Sequence, residues 1–140
     1  MLNQLPTKVR IVEVGPRDGL QNEKTIVSLE DKVTFIKMLK ASGLNEIEAT
    51  SFVRAEKIPQ MSDGVELYGA LKKENSLKGA KLISLVPNEK GLDNALMAGV
   101  QEIAVFTATS NTFNQKNINA TVDESLKRID AVMARANKEG

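Results

Sequence analysis

Four times along the chain, a short β-branched run gives way to a longer segment whose apolar residues recur every three or four positions. The first run, VRIVEV at residues 9–14, reads as a strand. The helix after it begins at Ser28, an N-cap with Asp31 three residues on, carries Leu29, Val33, Ile36 and Leu39 on one face, and ends at Gly43. NEIEATSF at 45–52 is the second strand, followed after a loop by a helix on which Val65, Tyr68 and Leu71 recur. AKLISLVP at 80–87 is the third strand, and Asn88 caps a short helix through Leu92, Ala95 and Leu96 to Gly99. QEIAVFTAT at 101–109 is the fourth, and the polar stretch TSNTFNQKNIN after it reads as a loop. Thr121 and Glu124 form a capping box for a last helix bearing Leu126, Ile129 and Met133.

A weak internal repeat supports this parsing, since ASGLNEI at 41–47 resembles AGVQEI at 98–103, each a glycine-ended helix running straight into a strand. Alternating strands and helices imply right-handed βαβ units and a parallel sheet. No linker or low-complexity stretch interrupts the pattern, so one domain over residues 1–140 is expected. Four units in 140 residues is about 35 residues each, and eight would need about 280, the size of a (β/α)8 barrel. Half a barrel and a small open doubly wound sheet both satisfy the periodicity.

Composition narrows the chemistry. Nineteen basic and eighteen acidic residues leave a net charge of +1, which gives no electrostatic reason to expect nucleic acid or an anionic membrane as partner. The absence of cysteine excludes a disulfide framework and a thiol nucleophile. With no histidine either, metal chemistry on these residues must use carboxylate and carbonyl oxygens, which suit hard cations such as Mg²⁺. No run of about 18 apolar residues occurs and no secretory h-region opens the chain, so a cytoplasmic protein is expected.

The unusual stretch is EVGPRDGLQNE, residues 13–23, at the end of the first strand. Parallel α/β folds build their sites at the C-terminal strand ends. Arg17 and Asp18 stand there, Glu48 lies near the end of the second strand, and Glu13 sits within the first, where burial would demand a partner such as Arg17. In the functional reading Asp18 offers a metal-binding carboxylate, Arg17 a fork of donors for a carbonyl or enolate oxygen, and Glu13 and Glu48 orient them. In the alternative, the four charges are a structural ion-pair cluster closing the sheet. Lys37, Lys40, Lys72 and Lys73 read as solvated surface.

VRIVEVGPRDGLQNEK at 9–24, with IEATSFV at 47–53, IPQMSD at 58–63, VPNEKG and TFNQKNIN, closely resembles hydroxymethylglutaryl-CoA lyase, of a superfamily of metal-dependent (β/α)8-barrel lyases and synthases. The resemblance implies an α/β fold, a parallel-stranded (β/α)4 half of a TIM-type barrel. It implies retro-Claisen cleavage of 3-hydroxy-3-methylglutaryl-CoA to acetyl-CoA and acetoacetate, with a divalent cation, Mg²⁺ or Mn²⁺, as cofactor and an acyl-CoA as partner. By it Arg17 stabilises the enolate, Asp18 binds the metal, and Glu13 and Glu48 match acidic positions of the family's site; Gln21, Ser51, Ser110 and Lys116 are further substrate-binding candidates, the last two near the CoA chain. The family takes its other metal ligands from an H-x-H motif and an asparagine, and a cysteine from a glycine-rich loop, in the second half of its barrel. This sequence has no His or Cys, which implies a half-built site that needs a C-terminal half-barrel or self-association.

Overall fold

The computed structural model describes residues 6–140. Among them are helices α1 (Leu29–Ala41), α2 (Gly64–Leu71), α3 (Glu89–Ala98), α4 (Asn111–Ile118) and α5 (Val122–Glu139), and strands β1 (Glu46–Ser51), β2 (Lys81–Leu85) and β3 (Glu102–Ala104). The strands form a parallel sheet in the order β1-β2-β3. The sheet has an inside and an outside. Leu82, Ser84 and Val86 point to the helices: Val86 and Leu82 join the core with Ile36, Leu67, Leu71 and Leu92, and Ser84 Oγ donates to the Tyr68 hydroxyl at 3.0 Å. Ile83 and Leu85 point the other way, yet each is only 6% exposed, because the sheet curls over that face.

Helix ends follow the sequence. Ser28 accepts from the Asp31 N–H, Asn88 from Gly91 and Ser110 from Phe113, each filling an orphan donor of a first turn. Gly99, which ends α3, holds φ at 71°, and Gly43, just past the end of α1, holds φ at 101°, a left-handed geometry that L side chains rarely adopt.

Four expectations shift. The strand expected at 9–14 reduces to one bridge, Glu13 to Ile47, made by Glu13 N–H to Glu46 O at 2.9 Å and Glu48 N–H to Glu13 O at 2.8 Å. Nothing among the described residues pairs with its outer edge, and Val9 and Ile11 are 67% and 65% exposed. The fourth strand is short for the same reason, with no neighbour beyond it among the described residues. The stretch read as a loop after it contains α4, because Ser110 caps it and buried Asn114 anchors it, bonding the Ala108 N–H at 3.1 Å and Ser125 Oγ at 3.2 Å. On α5 the face turned inward is Ser125, Ile129, Val132 and Ala136, while Leu126 and Met133 stay 45% and 37% exposed.

Lys32 is the polar residue the helical pattern concealed. It sits on the apolar face of α1, 3% exposed, and its ammonium donates to Asp63 Oδ1 at 2.7 Å and to the Gln60 carbonyl at 2.5 Å. Gln60, itself buried, accepts from the Val27 N–H at 2.8 Å and donates to the Thr25 carbonyl at 2.9 Å. The loop after β1 is thereby locked to the segment that leads out of GPRDGLQNE. A buried lysine costs heavily unless all its donors are occupied, and here they are. Lys37 ion-pairs with Glu74, and Lys72 donates to the Ala98 carbonyl at the end of α3, so neither is merely solvated.

The capping box of α5 carries a pH signature. The backbone N–H and then the hydroxyl of Thr121 hold the Glu124 carboxyl below its usual range. A lowered folded-state value stabilises above the unfolded value and is lost as pH falls through the folded one. Thermal unfolding of Glu124→Gln against the natural chain should therefore show a deficit at neutral pH that closes as pH drops through the carboxylate range.

Candidate active site

The GPRDG segment forms one π-helical turn, Gly15–Gly19, with Pro16 buried at its start. Val14's carbonyl accepts from both Arg17 N–H at 3.1 Å and Asp18 N–H at 2.7 Å, which reverses the chain at once and throws consecutive side chains outward. A Cβ at Gly15 would stand 2.8 Å from Glu13 Oε1, so a side chain there would push away the carboxylate that accepts the Gly15 N–H at 2.6 Å. Glu13 is thus committed to shaping the turn, on the side of α1, and does not pair with Arg17 as expected.

Arg17 pairs with Glu48 instead. Its Nε donates to Glu48 Oε1 at 2.8 Å and its Nη2 to Oε2 at 3.2 Å, a two-pronged contact, while Nη1 reaches Asp18 Oδ1 at 2.7 Å. Glu48 is 7% exposed and Arg17 17%, so both charges have left most of their water and the fork compensates them. Asp18 is 55% exposed. Gln21 donates to Asp18 Oδ1 at 2.9 Å and Asn22 to the Asp18 carbonyl at 2.7 Å, which fixes the carboxylate and leaves Oδ2 without a partner among the described residues.

A β-bulge completes the geometry. The pairing of β1 with β2 slips between Glu48 and Thr50: Glu48 is opposite Ile83, but Thr50 is opposite Ser84 and Ser51 opposite Leu85. Strict alternation would set Ser51 on the helix side; the bulge brings it to the face it shares with Glu48. Its hydroxyl is fully buried with no hydrogen-bond partner among the described residues. A buried unpaired hydroxyl costs about 1–3 kcal/mol, a cost that functional sites carry for a ligand.

The structure therefore brings together Arg17, Asp18, Gln21 and Glu48, with Ser51 on the same sheet face. Ser110 and Lys116 stand on α4 and make no hydrogen bond to this cluster; Lys116 lines a shallow groove of about 440 Å³ with Asn111, Thr112, Gln115 and Thr121. Among the described residues no three His, Cys, Asp or Glu groups converge to hold a metal. With Glu48 occupied by Arg17, the donor set for a cation is one Asp18 oxygen, which fits a divalent ion as a single ligand only.

A parallel α/β layer with charged side chains gathered at its C-terminal strand ends is one side of a TIM-type barrel site, and the chain belongs to the HMGL-like family, whose model matches residues 8–140. Its relatives are carbon–carbon lyases. It is 48% identical over 135 residues to the cytoplasmic 3-hydroxy-3-methylglutaryl-CoA lyase of Rattus norvegicus, with 96% of this chain and 38% of that protein covered. With the mitochondrial hydroxymethylglutaryl-CoA lyase of Homo sapiens it shares 46% identity, covering 41% of that protein. The structure of the Pseudomonas aeruginosa hydroxymethylglutaryl-CoA lyase superposes with a TM-score of 0.87 at 44% identity, covering 96% of this chain and 44% of that one. An HMG-CoA lyase from Acinetobacter baumannii, solved with coenzyme A and 3-methylmalate, gives 0.80 at 33% identity, covering 89% and 40%. The chain thus spans about two fifths of the length of these relatives and matches their N-terminal portion. No helix among the described residues is long and apolar enough to cross a membrane.

One carboxylate oxygen with waters binds Mn²⁺ weakly, with a dissociation constant of about a millimolar or weaker. Calorimetric titration should show that weak binding in the natural chain and its loss in Asp18→Asn. Micromolar binding that survives the substitution would mean the cation is held elsewhere.

Proposed function

We propose that this chain forms the N-terminal wall of a hydroxymethylglutaryl-CoA lyase site and acts in the retro-Claisen cleavage of 3-hydroxy-3-methylglutaryl-CoA to acetyl-CoA and acetoacetate. The observation that carries the reading is the fork of Arg17 on buried Glu48 of β1, with Asp18 beside it. Cleavage leaves the electron pair of the broken carbon–carbon bond on the thioester fragment as an enolate, so charge develops on one oxygen. A guanidinium has five N–H donors and three are spent on Glu48 and Asp18, leaving the outer edge of Arg17 to meet that oxygen. Glu48 fixes the guanidinium before substrate arrives, so the donors need no reorganisation as charge develops. Ser51 Oγ, unpaired on the same face, is a hydrogen-bond partner for a polar atom of the bound acyl group. Gln21 holds Asp18 in place. A bound Mg²⁺ or Mn²⁺ supplies Lewis acidity at the tertiary hydroxyl, and Asp18 Oδ2 is the group on this chain to hold it. Ser110 and Lys116 are assigned to the thioester's CoA arm, a reading supported by the Lys116 ammonium in the α4 groove as a partner for an anionic group.

The remaining ligands and the proton-transfer group belong to a second half-barrel. Acetoacetate release should therefore be measured on this chain co-expressed with the C-terminal portion of the Pseudomonas aeruginosa enzyme. Turnover is expected, and Arg17→Lys should lower kcat by about 10²-fold or more, since an ammonium cannot reproduce the fork. A stable complex that turns over no substrate would refute the assignment, as would Arg17→Lys at full rate.

A further inference from the structure

At the opposite, N-terminal ends of the strands, the face turned away from the helices carries one charged side chain from each of four extended segments. These are Arg10 on the segment before the π-helical turn, Glu46 on β1, Lys81 on β2 and Glu102 on β3. In spatial order across the sheet their signs alternate. Arg10 ion-pairs with Glu46 and donates from Nη2 to Glu102 Oε1 at 2.6 Å; Glu46 and Lys81 are register partners; Lys81 Nζ lies 3.8 Å from Glu102 Oε2. Arg10 and Glu102 belong to the two outermost segments, so their contact ties one edge of the sheet to the other across its floor and favours the curl. Each edge is left with one sign of charge, positive at Arg10 and negative at Glu102. Each edge also keeps apolar side chains in water: Val9 and Ile11 at 67% and 65% on one, Phe106 at 39% on the other.

We propose that these two edges are a docking surface for a complementary four-unit half-barrel whose first strand sets a basic side chain beside Glu102 and whose last sets an acidic one beside Arg10, closing the alternating row into a ring. The inference rests on the family reading above and adds what the partner must carry and what fixes its register. Like charges at adjacent floor positions oppose pairing and opposite charges favour it, so the row selects the partner's order as well as its identity. A half of different sequence is favoured over a second copy because the Pseudomonas aeruginosa enzyme places this fold in one polypeptide with the remaining part of its chain, this match covering 44% of it.

The test is association, read independently of catalysis. The natural chain and its Arg10→Glu and Glu102→Lys variants are each co-expressed with the tagged C-terminal portion of the Pseudomonas aeruginosa lyase, then measured by size exclusion with light scattering and by titration at low and high salt. The natural chain should form a one-to-one complex that weakens with salt, and each reversal should weaken it about tenfold or more. Circular dichroism shows whether each variant is folded; should one fail, the salt dependence of the natural complex decides. Absence of a complex, or affinity indifferent to both reversals and to salt, would overturn the proposal. So would a particle of twice 15.3 kDa that excludes the partner, which would assign the edges to a second copy. A charge-dependent complex without turnover would uphold the docking and refute the lyase reading, and the reverse result would separate them the other way.

Discussion

Everything at the candidate site hangs on the buried carboxylate of Glu48. A carboxylate taken out of water must be compensated by a cation and hydrogen bonds, or it will not stay buried. Arg17 provides both through two donors at 2.8 and 3.2 Å, and to do so it must leave the first extended segment at a particular angle. The Gly-Pro start, the doubled acceptance at Val14 and the close approach of Glu13 to Gly15 set that angle. The chain thereby joins the end of its first segment to the end of β1 by an ion pair where the strand ladder has only one bridge. The same fork pre-aims the unused donors of Arg17 and holds one oxygen of Asp18, so the interaction that stabilises the turn also prepares the site.

The second determinant is the bulge between Glu48 and Thr50. It turns Thr50 to the helix side and Ser51 to the face of Glu48, and Ser51 has a buried hydroxyl with no partner among the described residues. Lys32, Asp63 and Gln60 hold the following loop against the Thr25–Val27 backbone, which keeps the bulged strand end and the RDG turn in one rigid block. Floor and rim are built alike: charge pairs tie segments together where hydrogen-bond ladders are short, as expected of a sheet with two open edges.

Much of this was legible in the sequence. Ser28, Asn88 and Thr121 announced three helices, Gly43 and Gly99 ended two, and the Arg17-Asp18 pair marked the strand end. The residues that escaped did so for physical reasons. Glu13 and Arg17 are close in the chain, but the π-helical turn separates them, and proximity in sequence is a poor guide to pairing across a turn. Ser51 is named by the resemblance, but its place beside Glu48 was not legible, because alternation assumes an unbroken ladder and a bulge leaves no composition signal at Ala49. Lys32 was hidden by the rule that lysines are surface; its sole signal was a charged residue in register with Leu29 and Ile36 on the apolar face. The extent of the first and fourth strands depends on neighbours that these residues do not supply, and no local pattern encodes a missing neighbour. Val132 rather than Met133 faces the core because a helix covered on one narrow side buries only one of two adjacent apolar stripes.

On the proposed function, this chain holds one wall of a divided site. Its most direct test is acetoacetate release from 3-hydroxy-3-methylglutaryl-CoA by the purified 140-residue chain alone with Mn²⁺, against the same sample with chelator. No difference between the two is expected, since on the proposed reading Asp18 supplies a single cation ligand and the proton-transfer group lies elsewhere. Chelator-sensitive turnover by a species of 15.3 kDa would contradict it, since these residues would then suffice for the whole reaction.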